Sequence, residues 1–311
     1  MKILPLIPQY LKWMIVVGKS PKTAAGVKSS LKRLCNWLVN QKIIHIEQIT
    51  REILREYQED LIWHTNRKGN LITVRTRLSV IGHIKGLFKW MAESDLIVSD
   101  PAARLQNPKQ PKTLPREILE IHEIKKILSS PDTQTKRGYR DRCVLELLYS
   151  TGIRRSEAAN LRVSDVDYEA GFLTIRQGKG QKDRVVPLGK IASQYLQNYI
   201  TGLRPERIHG KDEGFLFLNR FGEAAGHNTI YDIVRKYVKL SGIKKKISPH
   251  TFRHTCATHM LKNGAHLRYL QEMLGHKSIE TTQIYTRVTI TELKACHAKH
   301  HPREAFSQEN L

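Results

Sequence analysis

The chain has 311 residues, 40% of them hydrophobic, enough to bury a substantial core and to form two domains. It carries 52 Lys and Arg against 29 Asp and Glu, a formal net charge of +23, which points to a polyanionic partner, nucleic acid first. No run of about 20 apolar residues offers a membrane span, and the scattered cysteines Cys35, Cys143, Cys256 and Cys296 make neither a zinc ribbon nor a disulfide framework.

The first residues have an early lysine and some apolar side chains, but Pro5, Pro8, Gln9 and Lys12 interrupt any signal-peptide core. A cytosolic protein is implied. Residues 1–106 read as helices almost throughout. Val27, Leu31, Leu34, Trp37 and Leu38 recur at helical spacing inside a predicted helix over 20–41, opened by Ser20-Pro21 as cap and first turn. A second helix is expected over 72–91, with Val80, Ile81, Ile84, Leu87 and Phe88 on one side and Arg75, Arg77, Lys85 and Lys89 on the other. In so basic a chain, that second face suits DNA phosphates better than solvent alone.

Residues 107–115 then bring three prolines and two lysines with no apolar period, an extended basic linker. Beyond it, helices are expected over 122–130, 139–150 and 190–202, and again over 228–241, 250–263, 266–274 and 290–299. Residues 172–176 and 184–188 alternate as the two arms of a β-hairpin around Gly178-Lys179-Gly-Gln-Lys182, and 214–218 reads as another short strand. The fold class is mainly α with a small antiparallel β-sheet, in two domains: 1–106, and 116–311 after the linker. Cys256 sits in a dense polar segment, yet its neighbours suit a helix packed on a core, so it reads as a packing residue.

The polar residues of the second domain form an ordered set. Breaking a phosphodiester by direct displacement requires stabilised phosphoryl oxygens, an activated nucleophile and a proton for the leaving oxygen. Arg154 and Arg253 carry planar guanidiniums that match two phosphate oxygens. His250 stands three residues before Arg253 and just after Pro249, at an expected helix start whose free amides also favour an anion. Tyr285 is the candidate nucleophile; a free tyrosine has a pKa of about 10, so neighbouring cations or a base must draw off its proton. Lys179, in the hairpin turn, is the candidate acid for the leaving oxygen, and Lys182 is chemically equivalent. His276 follows Leu274-Gly275, where a turn would present its ring either to phosphate or to the structure.

The order of these residues, with Tyr285 nine positions after His276, resembles the tyrosine recombinases, the phage integrase family. Leu147-Leu-Tyr-Ser-Thr-Gly-Ile-Arg154-Arg-Ser-Glu157 is similar to the family's first arginine box, and the stretch from Gly178 to Leu188 to its lysine hairpin. His250-Thr-Phe-Arg253-His and the stretch from Leu274 to Tyr285 resemble its second box, and His300-His-Pro-Arg303 resembles the tails of the Xer-like branch. The resemblance spans nearly the whole chain. It implies a two-domain DNA clamp: a helical core-binding domain and a tyrosine-recombinase catalytic domain. It implies that Arg154, Lys179, His250, Arg253, His276 and Tyr285 are catalytic, with Glu157 as supporting acid.

The resemblance further implies a site-specific recombinase with a 3′-phosphotyrosyl intermediate, needing no metal, ATP or other cofactor. A homo-tetramer on two duplexes would do the work in the cytoplasm, at the nucleoid, with accessory DNA-bending proteins or a second recombinase as further partners. The last helix would pack on a neighbouring protomer. Three rival readings stand beside this one. The first is a topoisomerase of the same tyrosine class, and the second a DNA-binding regulator without catalysis. The third is a metal-dependent nuclease using His250, His254, His259 and His276; Thr251 stands where a zinc-protease helix has its glutamate. His297, His300 and His301 read as a solvated polar end rather than a metal site.

Overall fold

The computed structural model describes residues 1–66, 68–109, 117–176, 183–275 and 290–305. The chain divides into two units, Met1–Leu114 and Pro115–Leu311. Among the described residues, no helix is long and apolar enough to cross a membrane.

The first unit is built from α1 (Leu6–Val16), α2 (Pro21–Asn40), α3 (Arg51–Asp60) and α4 (Val74–Glu93). The Ser20 side chain accepts a hydrogen bond from the Thr23 N–H and Pro21 occupies the first turn, so α2 starts where its sequence signals say. Thr73 caps α4 in the same way, accepting from the Thr76 N–H. Val27, Leu31, Leu34 and Leu38 are buried, and so are Ile81, Ile84, Leu87 and Phe88 of α4. Each such side chain contributes roughly 2 kcal/mol by leaving water. A hydrogen bond of 2.9 Å between Ser30 Oγ and His83 Nδ1 ties α2 to α4 beside this core.

The second unit contains α5 (Ile121–Ser129), α6 (Lys136–Thr151), α7 (Arg155–Asn160), α8 (Lys190–Asn198), α9 (His227–Leu240), α10 (Pro249–Lys262), α11 (Leu267–Leu274) and α12 (Ile290–His300). A small antiparallel sheet runs in the order β1 (Val166–Asp167), β2 (Phe172–Ile175), β3 (Arg184–Pro187). Phe172 pairs with Pro187 and Ile175 with Arg184, so β2 and β3 are the two arms of the expected hairpin. Its turn, 177–182, lies outside the described residues.

Helix α6 is the axis of this unit and is buried on all sides from Arg140 to Thr151. Its buried charges are all partnered: Arg140 with Asp141 at 2.6 Å, and Arg142 with Glu146 at 2.8 Å. The Tyr237 hydroxyl also donates to Asp141 at 3.0 Å. Cys256 is fully buried on α10, and burial pushes its thiol up to about 12, as befits a packing residue.

Two expectations are corrected. Residues 214–218 do not make a strand: Phe215 and Leu218 each form one isolated bridge, to Arg162 and Ala224, while Leu216, Phe217 and Leu218 are buried. A short apolar run is equally suited to a buried loop, and this one has no ladder partner. The tail is not a solvated end. His297 and His301 are each only 2% exposed, stacked with ring centres 4.6 Å apart. His297 Nε2–H donates to the Ser150 carbonyl at 2.7 Å and His301 Nε2–H to the Tyr149 carbonyl at 3.0 Å. Helix α12 and the turn after it thus pack against α6 within their own unit in the single chain.

Candidate active site

The site is assembled where α6 ends. Gly152 closes that helix in the left-handed region, at φ 58°. A Cβ there would stand 2.9 Å from Leu274 Cδ2, so the turn needs glycine for both conformation and space. Two residues later, Arg154 caps α7. Glu157, three positions on, accepts the Arg154 backbone N–H at 2.8 Å and its Nη1–H at 2.8 Å. A carboxylate in the first turn of α7 thereby satisfies a free amide and holds a guanidinium together.

Arg253 comes from α10. Ser248 caps that helix, accepting from the Thr251 N–H, and Pro249 fills its first position. His250 is exposed at the helix start, while Arg253, one turn on, is 8% exposed. Arg253 donates from Nη1 to the Gly152 carbonyl at 2.8 Å and from Nη2 to the Leu274 carbonyl at 2.6 Å. Arg154 Nη2 donates to the Gly275 carbonyl at 3.0 Å. Arg154 and Arg253, 99 positions apart in the chain, therefore meet at the C-terminal end of α11. That end offers unpaired carbonyls and the negative pole of the helix dipole, both suited to cations.

A third guanidinium joins them, one that sequence reasoning read only as part of a strand. Arg184, the first residue of β3, donates from Nη1 and Nη2 to the two oxygens of Glu157, at 3.0 and 2.7 Å, and from Nε to the Met273 carbonyl at 3.1 Å. Three consecutive carbonyls, of Met273, Leu274 and Gly275, are thus each held by a different arginine. No periodicity marks Arg184; the available signal is its place beside the lysine hairpin, two residues past 177–182.

The electrostatics follow from this crowding. Burial by itself would raise the Glu157 carboxyl; the hydrogen bonds from Arg184 and from the Arg154 amide outweigh it and hold the group down at about 2. Burial, and then the positive charge of Arg154, draw Arg253 down to about 10. Among the described residues, three guanidiniums gather at one carboxylate, two of them bonded to it, so the cluster carries an excess of positive charge in a half-buried place. Such an arrangement is suited to an anion.

The other expected residues fall elsewhere. Lys179, Lys182, His276 and Tyr285 lie outside the described residues. Among the described residues, no three His, Cys, Asp or Glu side chains gather to hold a metal; His259 is buried against Tyr149, its Nδ1 3.0 Å from the hydroxyl. In the first unit, Arg75 and Lys89 are exposed on α4 and Lys85 is half-buried. Two residues along a helix is a rotation of about 200°, so Arg77 turns away from Arg75. It lines a cavity of about 440 Å³ with Arg51, Arg55 and Arg104. The basic face expected on α4 is therefore split in two.

Comparison with known proteins gives a consistent answer. The sequence pattern described as the phage integrase family matches residues 117–292. The chain is 40% identical over 298 residues to the tyrosine recombinase XerC 2 of Ralstonia nicotianae, covering 96% of this chain and 86% of that one. It is 38% identical over 299 residues to the tyrosine recombinase XerD of Staphylococcus epidermidis, covering 96% and 99%. Among solved structures, a lambda integrase (75-356) dimer bound to a COC' core site matches with a TM-score of 0.68 at 19% identity, over 93% of this chain and 100% of that one. The XerH recombinase bound to difH matches with a TM-score of 0.64 at 23% identity, over 88% and 78%. These two show a shared fold; the sequence matches show descent, and the chain belongs to the phage integrase family, among homologues of the Xer tyrosine recombinases.

Proposed function

We propose that this chain is a site-specific DNA recombinase that cuts and rejoins DNA strands through a covalent bond to Tyr285. The observation that carries this reading is the meeting of Arg154 and Arg253 at the end of α11, with guanidinium charge in excess of Glu157, the one carboxylate bonded there among the described residues. A phosphodiester supplies the missing negative charge. Each guanidinium has five N–H donors, and the bonds described above engage two on Arg154 and two on Arg253. The others suit non-bridging phosphate oxygens, whose charge grows as the phosphorus becomes pentacoordinate.

In this reading, the Tyr285 phenolate attacks phosphorus, a 3′-phosphotyrosyl bond forms and the bond to the 5′-oxygen breaks. Lys179 gives the departing oxygen its proton, and His250 and His276 hydrogen-bond the phosphate. The ester bond retains the energy of the one it replaced, so a 5′-hydroxyl reverses the step without ATP or metal. Helices of the first unit, with Arg75, Lys85 and Lys89 on α4 and Arg77 nearby, bind the duplex as one half of a clamp. The second unit is the catalytic half, joined to the first through 107–115. A tetramer on two sites, in the cytoplasm at the nucleoid, completes the exchange. Support for the assembly comes from a structural relative of 18% identity, a lambda integrase tetramer bound to a Holliday junction, with a TM-score of 0.68. The two sequence relatives above favour recombination over relaxation by a topoisomerase.

The test is a nicked duplex bearing a site selected from random DNA by binding to the protein. The expected result is a covalent protein–DNA adduct that forms in excess chelator and is lost in Tyr285→Phe while DNA binding is kept. An adduct that survives this substitution would show that another residue is the nucleophile.

A further inference from the structure

Arg184 is absent from the residues that the chemistry calls for, yet the described part of the site is organised around it. The Glu157 carboxylate accepts four hydrogen bonds. Each of its oxygens takes one from Arg154 and one from Arg184, so its acceptor capacity is filled from two sides. On the Arg184 side the contact is a parallel two-point pair, a geometry that a planar guanidinium offers and an ammonium does not. The third donor of Arg184, Nε–H, holds Met273, so one side chain joins β3, α7 and α11.

A separate feature of the backbone accommodates this side chain. Gly275 sits at φ 64° at the end of α11, and a Cβ added there would lie 3.1 Å from Arg184 Cδ and 3.2 Å from Nε. The bare glycine thus leaves room for Arg184 on one side, while its carbonyl receives the Arg154 Nη2–H. The Glu157 side chain is 6% exposed and that of Arg184 12%, so solvent has little access to replace the pair. With Arg184 gone, Glu157 would have half its hydrogen-bond donors missing, and the carboxylate that orients Arg154 would lose its backstop.

We propose that Arg184 is a positioning residue for DNA cleavage: by holding the far side of Glu157 it aims Arg154 at the scissile phosphate, and by gripping Met273 it sets the end of α11 against β3. The proposal rests on the reading of Arg154 as a phosphate ligand. It makes Arg184 act through Arg154 rather than on the DNA itself.

The test uses the full chain and the nicked duplex described above, made with either an ordinary scissile phosphodiester or a methylphosphonate there. The methylphosphonate lacks one negative oxygen and so has less need of a cation. Arg184→Gln is expected to slow adduct formation about 10- to 100-fold, by analogy with the loss of a partner that orients a metal ligand, with DNA affinity unchanged. On the methylphosphonate, the losses of Arg184→Gln and of Arg154→Ala should both shrink. The double variant should be no slower than Arg154→Ala alone, since the two act as one unit. Arg184→Lys, which keeps the charge and loses the fork, should fall between; it replaces Arg184→Gln in the cycle if that variant fails to fold. Losses that multiply in the double variant, or a loss of equal size on both substrates, would overturn the proposal. A wild-type chain that makes no adduct on either substrate would instead sink the recombinase reading, and this proposal with it.

Discussion

Arg303 reaches the Glu146 carboxylate, 157 positions away in the chain, with two hydrogen bonds of 3.0 and 2.6 Å. Glu146 is fully buried in the middle of α6 and also holds Arg142. The C-terminal turn is thereby tied to the axis of the second unit.

Arg303→Ala leaves Glu146 with one cation where it had two, inside the protein. Breaking a buried pair by removing one partner costs about 3–5 kcal/mol. The expected outcome is a loss near the lower end, because Arg142 remains. The urea midpoint of the second unit's transition in the full chain should report it. A midpoint unchanged from wild type would show that the tail contributes nothing to the unit's stability.

The two stacked histidines give the fold a dependence on acid. His301 accepts the Arg303 N–H on Nδ1 while donating from Nε2, so the folded state holds it neutral. Burial pushes His297 from 6.5 down to about 4, and holds His301 well below its ordinary value too. A histidine depressed in the fold binds protons more readily when unfolded. Its contribution is whole above about pH 6.5 and is lost as pH falls toward 4. Glu157, depressed from 4.5 to about 2, acts in a lower window, its contribution whole above 4.5 and lost as pH falls toward 2. Denaturation followed from pH 7 to 4 should show stability falling through the upper window. In a His297→Gln, His301→Gln variant that fall should flatten.

Arg253→Ala should bind DNA and cleave it poorly. Removing one donor to a developing oxyanion costs about 2–4 kcal/mol of transition-state stabilisation, and Arg253 also anchors Leu274. The measurement is the single-turnover rate of adduct formation beside DNA affinity. Equal losses in both would mean that Arg253 contributes to binding alone.

Lys179→Ala should be rescued by a substrate with a 5′-bridging sulfur, because a thiolate leaves without a proton. The measurement is the ratio of adduct rates on sulfur and oxygen substrates. If only Lys182→Ala responds to the sulfur, the neighbouring lysine is the acid.

Much of this architecture is written locally. The Leu31, Leu34 and Leu38 stripe and the Ser20-Pro21 cap specify α2 because helix periodicity and capping act within a few residues. Glu157 stood beside Arg154 in the sequence only through the resemblance to the family's first arginine box. Arg184 was not legible: its partners Glu157 and Met273 lie 27 and 89 positions away, and in its own strand it only continues an alternation. The tail failed similarly. Histidines look solvent-seeking until the Tyr149 and Ser150 carbonyls that receive them are in place. The run from Leu216 to Leu218 read as a strand, but its residues are buried without a ladder, which no local signal marks.

The clasp on α11 has a consequence for how the enzyme meets its substrate. Arg154 and Arg253 each commit an N–H to the final carbonyls of that helix, and each guanidinium carries further donors. A strand drawn toward those guanidiniums pulls against the same side chains that pin the helix terminus. A phosphate that took up their remaining N–H groups would therefore be mechanically linked to the seating of the α11 terminus.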